Sequence, residues 1–101
     1  MQISFSSKTV QLTDEVKLLA QTKLERLGKF TSLKIEQFQV IVDRVKRGAK
    51  TTSEAQVEVI AKIKGKQFAF KEVGENLHQA LYRALDKVEE KLGKEASLHD
   101  R

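Results

Sequence analysis

The sequence contains two histidines, His78 and His99, and neither has a second histidine or a carboxylate at the spacing of a metal or proton-transfer site. His78 follows the apolar Leu77 near the start of a helix and reads as a partly buried, hydrogen-bonded structural residue, while His99 falls in a frayed tail. Thr51, Thr52 and Ser53 cluster without a partnering base. Gly28, Gly48, Gly65, Gly74 and Gly93 are too scattered to cradle a phosphate. Asp86, Glu89 and Glu90 share the solvent side of a helix with Lys87 and Lys91 and read as surface pairs rather than a carboxylate dyad. With no cysteine, disulfides, thiolate metal sites and thiol catalysis are excluded. The residues predict no catalytic site, no metal, no cofactor and no small-molecule substrate: a non-enzymatic protein.

Positive charge is the feature that remains. The chain carries 19 Lys and Arg against 14 Asp and Glu, and the excess lies in residues 8–50. Arg83, Lys87, Lys91 and Lys94 recur at intervals of four, four and three, which at about 100° per residue places them within a sector of about 80° beside an apolar helical stripe. The row spans about 16 Å. Lys23 and Arg26 lie three apart on the edge of an earlier helix, with Lys29 just past its end. If the two helices lie side by side, these rims line a positive groove suited to phosphates. A third cluster, Arg44, Lys46, Arg47 and Lys50, surrounds Gly48 in the connection between the second and third strands, as a cationic finger for phosphate contact without base readout. For each cation alone the competing reading is a solvated or snorkelling surface charge. Phe5, Phe38, Phe68 and Phe70 fall on core positions and Phe30 under a helix end, so only Tyr82 is left for the surface and no base-stacking platform is expected.

The elements that must position these cations follow from hydrophobic periodicity. Ile3 and Phe5 mark a short strand. Thr13 caps a helix with Asp14 and Glu15 in its first turn, a buried stripe of Val16, Leu19, Ala20, Leu24 and Leu27, and a stop at Gly28. Phe38, Val40 and Val42 form one face of a second strand, and Ala55, Val57, Val59, Ala61 and Ile63 one face of a third. Lys64-Gly65 reads as a tight turn into a fourth strand with Phe68 and Phe70 inward. Leu77, Leu81, Ala84, Leu85, Val88 and Leu92 supply the last helix, ended by Gly93. The sequence therefore predicts an α+β fold, a two-layer β-α-β-β-β-α sandwich with a four-stranded mixed sheet and two helices on one face, like that of double-stranded-RNA-binding domains. The first two strands pair in parallel and the last three form an antiparallel meander. The open face carries Gln37, Gln39, Glu54, Gln56, Glu58 and Lys62, with Ile41 and Ile60 as a small apolar patch. One domain, residues 1–95, with a short tail at 96–101, is expected. No window approaches the roughly 20 apolar residues of a membrane span, and the amino terminus has no leader pattern, so a soluble cytoplasmic protein without membrane contact is expected.

Against this background the sequence resembles the ribosome hibernation-promoting factor and ribosome-associated inhibitor family over about residues 2–95. The resemblance rests on Thr13 opening the first helix, on Lys23-Leu24-Glu25-Arg26-Leu27-Gly28-Lys29-Phe30 closing it, and on Glu75-Asn76-Leu77-His78-Gln79-Ala80-Leu81 followed by Asp86-Lys87-Val88-Glu89-Glu90-Lys91-Leu92. His78 stands where the family often has tyrosine, and Glu90 where it is frequently basic. The resemblance is to the short type, without the long dimerising domain or acidic tail of other members. It implies binding to the small ribosomal subunit and its rRNA in the messenger and transfer-RNA channel, with translation inhibited under stress. It implies rRNA contacts by Lys23, Arg26, Lys29, Lys87, Lys91 and Lys94, beside Arg83 in the same row, and a monomer off the ribosome. Two other readings are a general double-stranded-RNA-binding module and a protein-interaction domain using the open sheet face around Ile41 and Ile60.

Overall fold

A period of two places Phe38, Val40 and Val42 on one side of a strand, and Ala55, Val57, Val59, Ala61 and Ile63 on one side of its neighbour. In the computed structural model, which describes residues 2–30, 34–46 and 53–99, these residues lie in β2 (Ile35–Lys46) and β3 (Ser53–Ile63). β1 (Gln2–Ser6) and β4 (Lys66–Gly74) flank them, and the sheet order is β1-β2-β3-β4. β1 runs parallel to β2, with Phe5 opposite Val40, and the other pairs are antiparallel. Helices α1 (Asp14–Phe30) and α2 (Leu77–His99) complete the order β-α-β-β-β-α. This is the mixed-sheet plan expected from the sequence.

Both helices bury their stripes against the same sheet face. Val16, Ala20 and Leu24 of α1, and Ala80, Leu81, Ala84, Leu85, Val88 and Leu92 of α2, form one cluster with the inward residues of β2 and β3. Phe38 is fully buried, whereas Phe5, Phe68 and Phe70 are only partly buried and pack against the cluster from the shorter outer strands. Truncating Leu81 or Leu85 would remove a side chain touched on all sides, a change that costs about 2–5 kcal/mol in comparable cores.

Three boundaries differ from the sequence reading. Glycine stops were expected at Gly28 and Gly93, yet α1 continues to Phe30 and α2 to His99. Among the described glycines only Gly65 has a positive φ, so neither forms the left-handed cap that would end a helix. Beyond Gly93 the residues Lys94, Glu95 and Ala96 are good helix formers, and their propensity outweighs the roughly 1 kcal/mol glycine penalty. Arg44 and Lys46 were expected in a loop, but β2 extends through both, opposite Ala55 and Ser53. Arg47 and Lys50 lie outside the described residues, as does the side chain of Phe30. A register shift between Ile35 and Gln37 lets Ile35 stay buried at the start of β2.

Side-chain caps set the helix starts. Thr13 Oγ1 accepts from the Val16 N–H at 3.3 Å and Asn76 Oδ1 from the Gln79 N–H at 2.9 Å, while Gln79 Oε1 reaches back to the Glu75 N–H at 2.8 Å. The β3–β4 turn holds Lys64 at φ 49° and Gly65 at φ 79°, the two-residue left-handed turn that matches strand twist. For Lys64 this conformation costs roughly 1–2 kcal/mol, because its Cβ crowds the following carbonyl. Where β4 meets α2, Gly74 is buried and a Cβ there would lie 2.7 Å from the Ala80 backbone nitrogen. Gly74→Ala is therefore expected to lower stability by about 1–3 kcal/mol, and Gly93→Ala, which meets nothing within 4 Å, to raise it by about 0.5–1 kcal/mol. Urea midpoints of the two variants check the contrast.

The link from β1 to α1 is tied to the far part of β2 through Asp43. Its Oδ1 accepts from the Lys8 N–H at 3.0 Å, the Thr9 N–H at 3.3 Å and the Thr9 hydroxyl at 3.2 Å, while Thr9 Oγ1 accepts from the Arg44 N–H at 2.8 Å. The Lys8 N–H, then the two Thr9 donors and the Lys8 charge, outweigh desolvation and hold the Asp43 carboxyl below its ordinary value. A depressed carboxyl contributes stability that is present above its unfolded-state value and lost as pH falls through the folded-state value. Asp43→Ala should thus be less stable at neutral pH, and the gap to the parent should narrow on acidification below the usual carboxylate range. Chemical denaturation across pH measures this; parallel curves would contradict it.

Candidate nucleic-acid interface

The rotation of α2 about its own axis decides where its cations go. With Leu81, Leu85, Val88 and Leu92 turned into the core, the Arg83–Lys94 row projects towards the β4 edge of the sheet. Arg83 Nη1 donates to the Val73 carbonyl at 2.9 Å, Lys87 pairs with Glu72, and Lys91 Nζ sits 5.6 Å from the centre of the Phe68 ring. Lys94 pairs with Glu90 one turn back at 3.4 Å. The opposite flank of α2, facing α1, carries Tyr82, Asp86, Glu89 and His78, which is exposed rather than partly buried as expected, because it lies outside the apolar stripe of α2.

The cation row and the α1 rim therefore do not share one positive groove. Lys23 reaches across from α1 to Asp86 Oδ1 at 3.4 Å and Glu89 Oε2 at 3.7 Å, so the space between the helices is of mixed charge. That groove, about 590 Å³, is lined by Leu18, Leu19, Leu27 and Tyr82, with Glu15 and Glu89 as well as Lys23 and Arg26. Leu18 is 65% exposed and Tyr82 46%. These are the exposed large apolar residues among those described, whereas Ile41 and Ile60 on the open face are half-buried, diagonal neighbours across β2 and β3. The apolar surface available to a partner is thus between the helices and not on the sheet, a feature that the sequence pattern missed because Leu18 lies one position outside the α1 stripe.

The seven cations fall into two kinds. Lys23, Arg83, Lys87, Lys91 and Lys94 each have an intramolecular partner. Arg26 and Lys29 have no ion pair among the described residues and remain open to a ligand. Glu72 is the anchor that makes Lys87 structural: its side chain is only 17% exposed, beneath a lysine 59% exposed. Arg44 is exposed on the extended β2–β3 hairpin. Among the described residues no group of three or more His, Asp or Glu could hold a metal, and no helix is long and apolar enough to cross a membrane.

Residues 3–97 match the family model described as sigma 54 modulation protein / S30EA ribosomal protein. The chain belongs to that family. The segments that carry the resemblance in the sequence, residues 23–30 and 75–92, lie inside the matched span. Among solved structures the chain is similar to a ribosomal subunit interface protein from Coxiella burnetii, with TM-score 0.74 and 15% identity over 96% of this chain and 99% of that one. It is also similar to the Protein Y N-terminal domain from Thermus thermophilus, with TM-score 0.70 and 19% identity over 92% and 93% of the two chains. At these identities the two structures establish a common fold. No curated protein matches the sequence significantly.

The S30EA fold thus places the α2 row as a tethered set, and the tethers can be measured. In a double-mutant cycle of Lys87→Met and Glu72→Gln, the coupling is expected at about 0.5–1 kcal/mol at low salt, the range for a partly exposed pair. Lys87→Met alone should be more destabilising than the double variant, since it leaves Glu72 without its counter-charge. Additive effects would contradict the assignment of Lys87 to Glu72.

Proposed function

We propose that this S30EA-family protein is a ribosome hibernation factor, which binds the small subunit in the messenger and transfer-RNA channel and inhibits translation under stress. The observation that carries the reading is the family match over residues 3–97; the Coxiella protein of the same fold, itself a ribosomal subunit interface protein, supports it. The mechanism follows from the surface. Lysine and arginine side chains meet phosphates and fix the register on RNA, while the absence of a cluster of exposed aromatics on the described surface leaves recognition to shape and backbone geometry rather than to bases. Inhibition is by occupancy, with no bond made or broken, and the protein acts in the cytoplasm as a monomer that docks on the subunit. Arg26 and Lys29 are the α1 contacts, Lys91 and Lys94 the α2 contacts, with Arg83 and Lys87 presenting charge while held to β4 and Lys23 held across the groove. Arg44, with Lys46, Arg47 and Lys50 after it in the sequence, supplies further contacts.

Sedimentation with purified ribosomal subunits tests the reading. The protein should travel with the small subunit and not the large one, and should slow a cell-free translation reaction in proportion to ribosome occupancy, without turnover of RNA or nucleotide. Equal partition between subunits would refute it; naked RNA duplexes bound as tightly as subunits would point to a general RNA-binding module. The combined change Arg26→Ala, Lys29→Ala and Lys91→Ala should flatten the salt dependence of log affinity by about 2 to 3 units, at roughly 0.7 to 0.9 per phosphate contact.

A further inference from the structure

The chain topology gathers a set of cations that neither helix rim contains. α1 returns antiparallel to the parallel strands β1 and β2, and α2 returns antiparallel to β4, as the succession Arg83 to Val73, Lys87 to Glu72 and Lys91 to Phe68 records. Lys23, facing Asp86 and Glu89, shows the helices level with each other. Both helices therefore end at the same end of the sheet, where β2 begins and the β3–β4 turn lies. That end holds Arg26 and Lys29 of α1, Lys34 before β2, Lys62 at the end of β3, and Lys64 and Lys66 around the turn, all exposed. None of the six has an ion pair among the described residues; among the described side chains, Glu25 lies on α1, Glu36 on β2 and Glu90 on α2, the last paired with Lys94.

A second, independent observation lies in the turn itself. The first position of a two-residue left-handed turn favours asparagine, aspartate or glycine, yet this chain has Lys64 there at φ 49°. A cation is held at the tip of the hairpin in a conformation that its side chain disfavours, and such outliers concentrate where a site needs a particular group. Lys62 and Lys66 flank it, so the hairpin presents three positive charges within five residues.

We propose that the β3–β4 turn, through Lys62, Lys64 and Lys66, is a phosphate-binding point that seats this end of the protein, which also holds Arg26 and Lys29, on an RNA backbone. It rests on the ribosome-binding reading and adds a contact outside both helices. The partner is a run of RNA phosphates, because the turn offers cations without an aromatic for stacking or an apolar surface for a protein.

The test is small-subunit binding across a salt series for three proteins: the parent, the turn variant Lys62→Gln/Lys64→Asn/Lys66→Gln, and the charge-matched control Lys8→Gln/Lys17→Gln/Lys71→Gln. The turn variant should flatten the slope of log affinity against log salt by about 2 to 3 units, and the control by clearly less. Lys64→Asn alone should raise the melting temperature while lowering affinity; a raised melting temperature with unchanged affinity would mean that the turn is purely structural and would overturn the proposal. Equal slope changes in the turn and control variants would overturn it too, by reducing the effect to net charge. If the parent fails to bind small subunits, the ribosome reading falls and takes the proposal with it; if the parent binds and the turn variant behaves like the control, only the proposal falls.

Discussion

The surface of this protein is set by how α2 seats on β3 and β4. Ala80, Leu81, Ala84, Leu85, Val88 and Leu92 are all buried, and their stripe leaves the helix one orientation about its axis, since turning it by one residue would exchange core leucines for charges. Everything else on α2 follows from that angle. The cations fall towards β4, the acids and Tyr82 towards α1, and the close approach of Gly74 to the Ala80 backbone fixes where along the strand the helix begins. The packing of apolar side chains thus determines the charge pattern, although no charged residue takes part in it.

Once placed, the charges differ in what they can do. A lysine pressed onto Glu72 or held across a groove to Asp86 and Glu89 must give up or share its partner before it can bind a phosphate, which reduces its net contribution. An unpaired arginine or lysine has no such competitor. The ion pairs have a different value: Lys23 joins the two helices, and Arg83 and Lys87 join α2 to the exposed edge of the sheet. Charged side chains at that edge also hinder pairing with a foreign strand. The proposed recognition of RNA by shape requires phosphate contacts at fixed separations, and tethers of this kind would hold them there.

The sequence carried most of the fold because two-fold and 3.6-fold periodicity mark every strand and helix, and one apolar face per element leaves a two-layer sandwich as the way to bury them all. Helix ends were less legible. Gly28 and Gly93 look like stops, but a glycine ends a helix only when the following chain favours leaving it, and Lys94, Glu95 and Ala96 favour continuing. By pattern alone the inward face of β2 is complete at Val42, which leaves Arg44 and Lys46 to the loop, whereas pairing with Ala55 and Ser53 prolongs the ladder. The cation row was visible in its spacing, but its direction was not: helical periodicity gives angles relative to the stripe, and which neighbour lies on each flank depends on the order of strands beneath. The shared groove expected between the helices failed on that point, since α1 lies on the flank of α2 that carries Asp86 and Glu89.

The end of the sheet near the β3–β4 turn escapes a linear reading for the same physical reason. Arg26, Lys29, Lys34, Lys62, Lys64 and Lys66 belong to three separate stretches, 26–29, 34 and 62–66, and fit no common period; they converge because the parallel pairing of β1 with β2 brings the end of α1 and the start of β2 to the side where the β3–β4 turn lies. Part of this charge has a local use, since Lys29 in the last turn of α1 meets the negative end of the helix dipole. The turn lysines belong to no helix, and Lys64 occupies a backbone conformation that another residue would adopt more easily. A purely structural demand at that position does not favour lysine, and the proposed phosphate contact gives its charge a role that the fold itself does not.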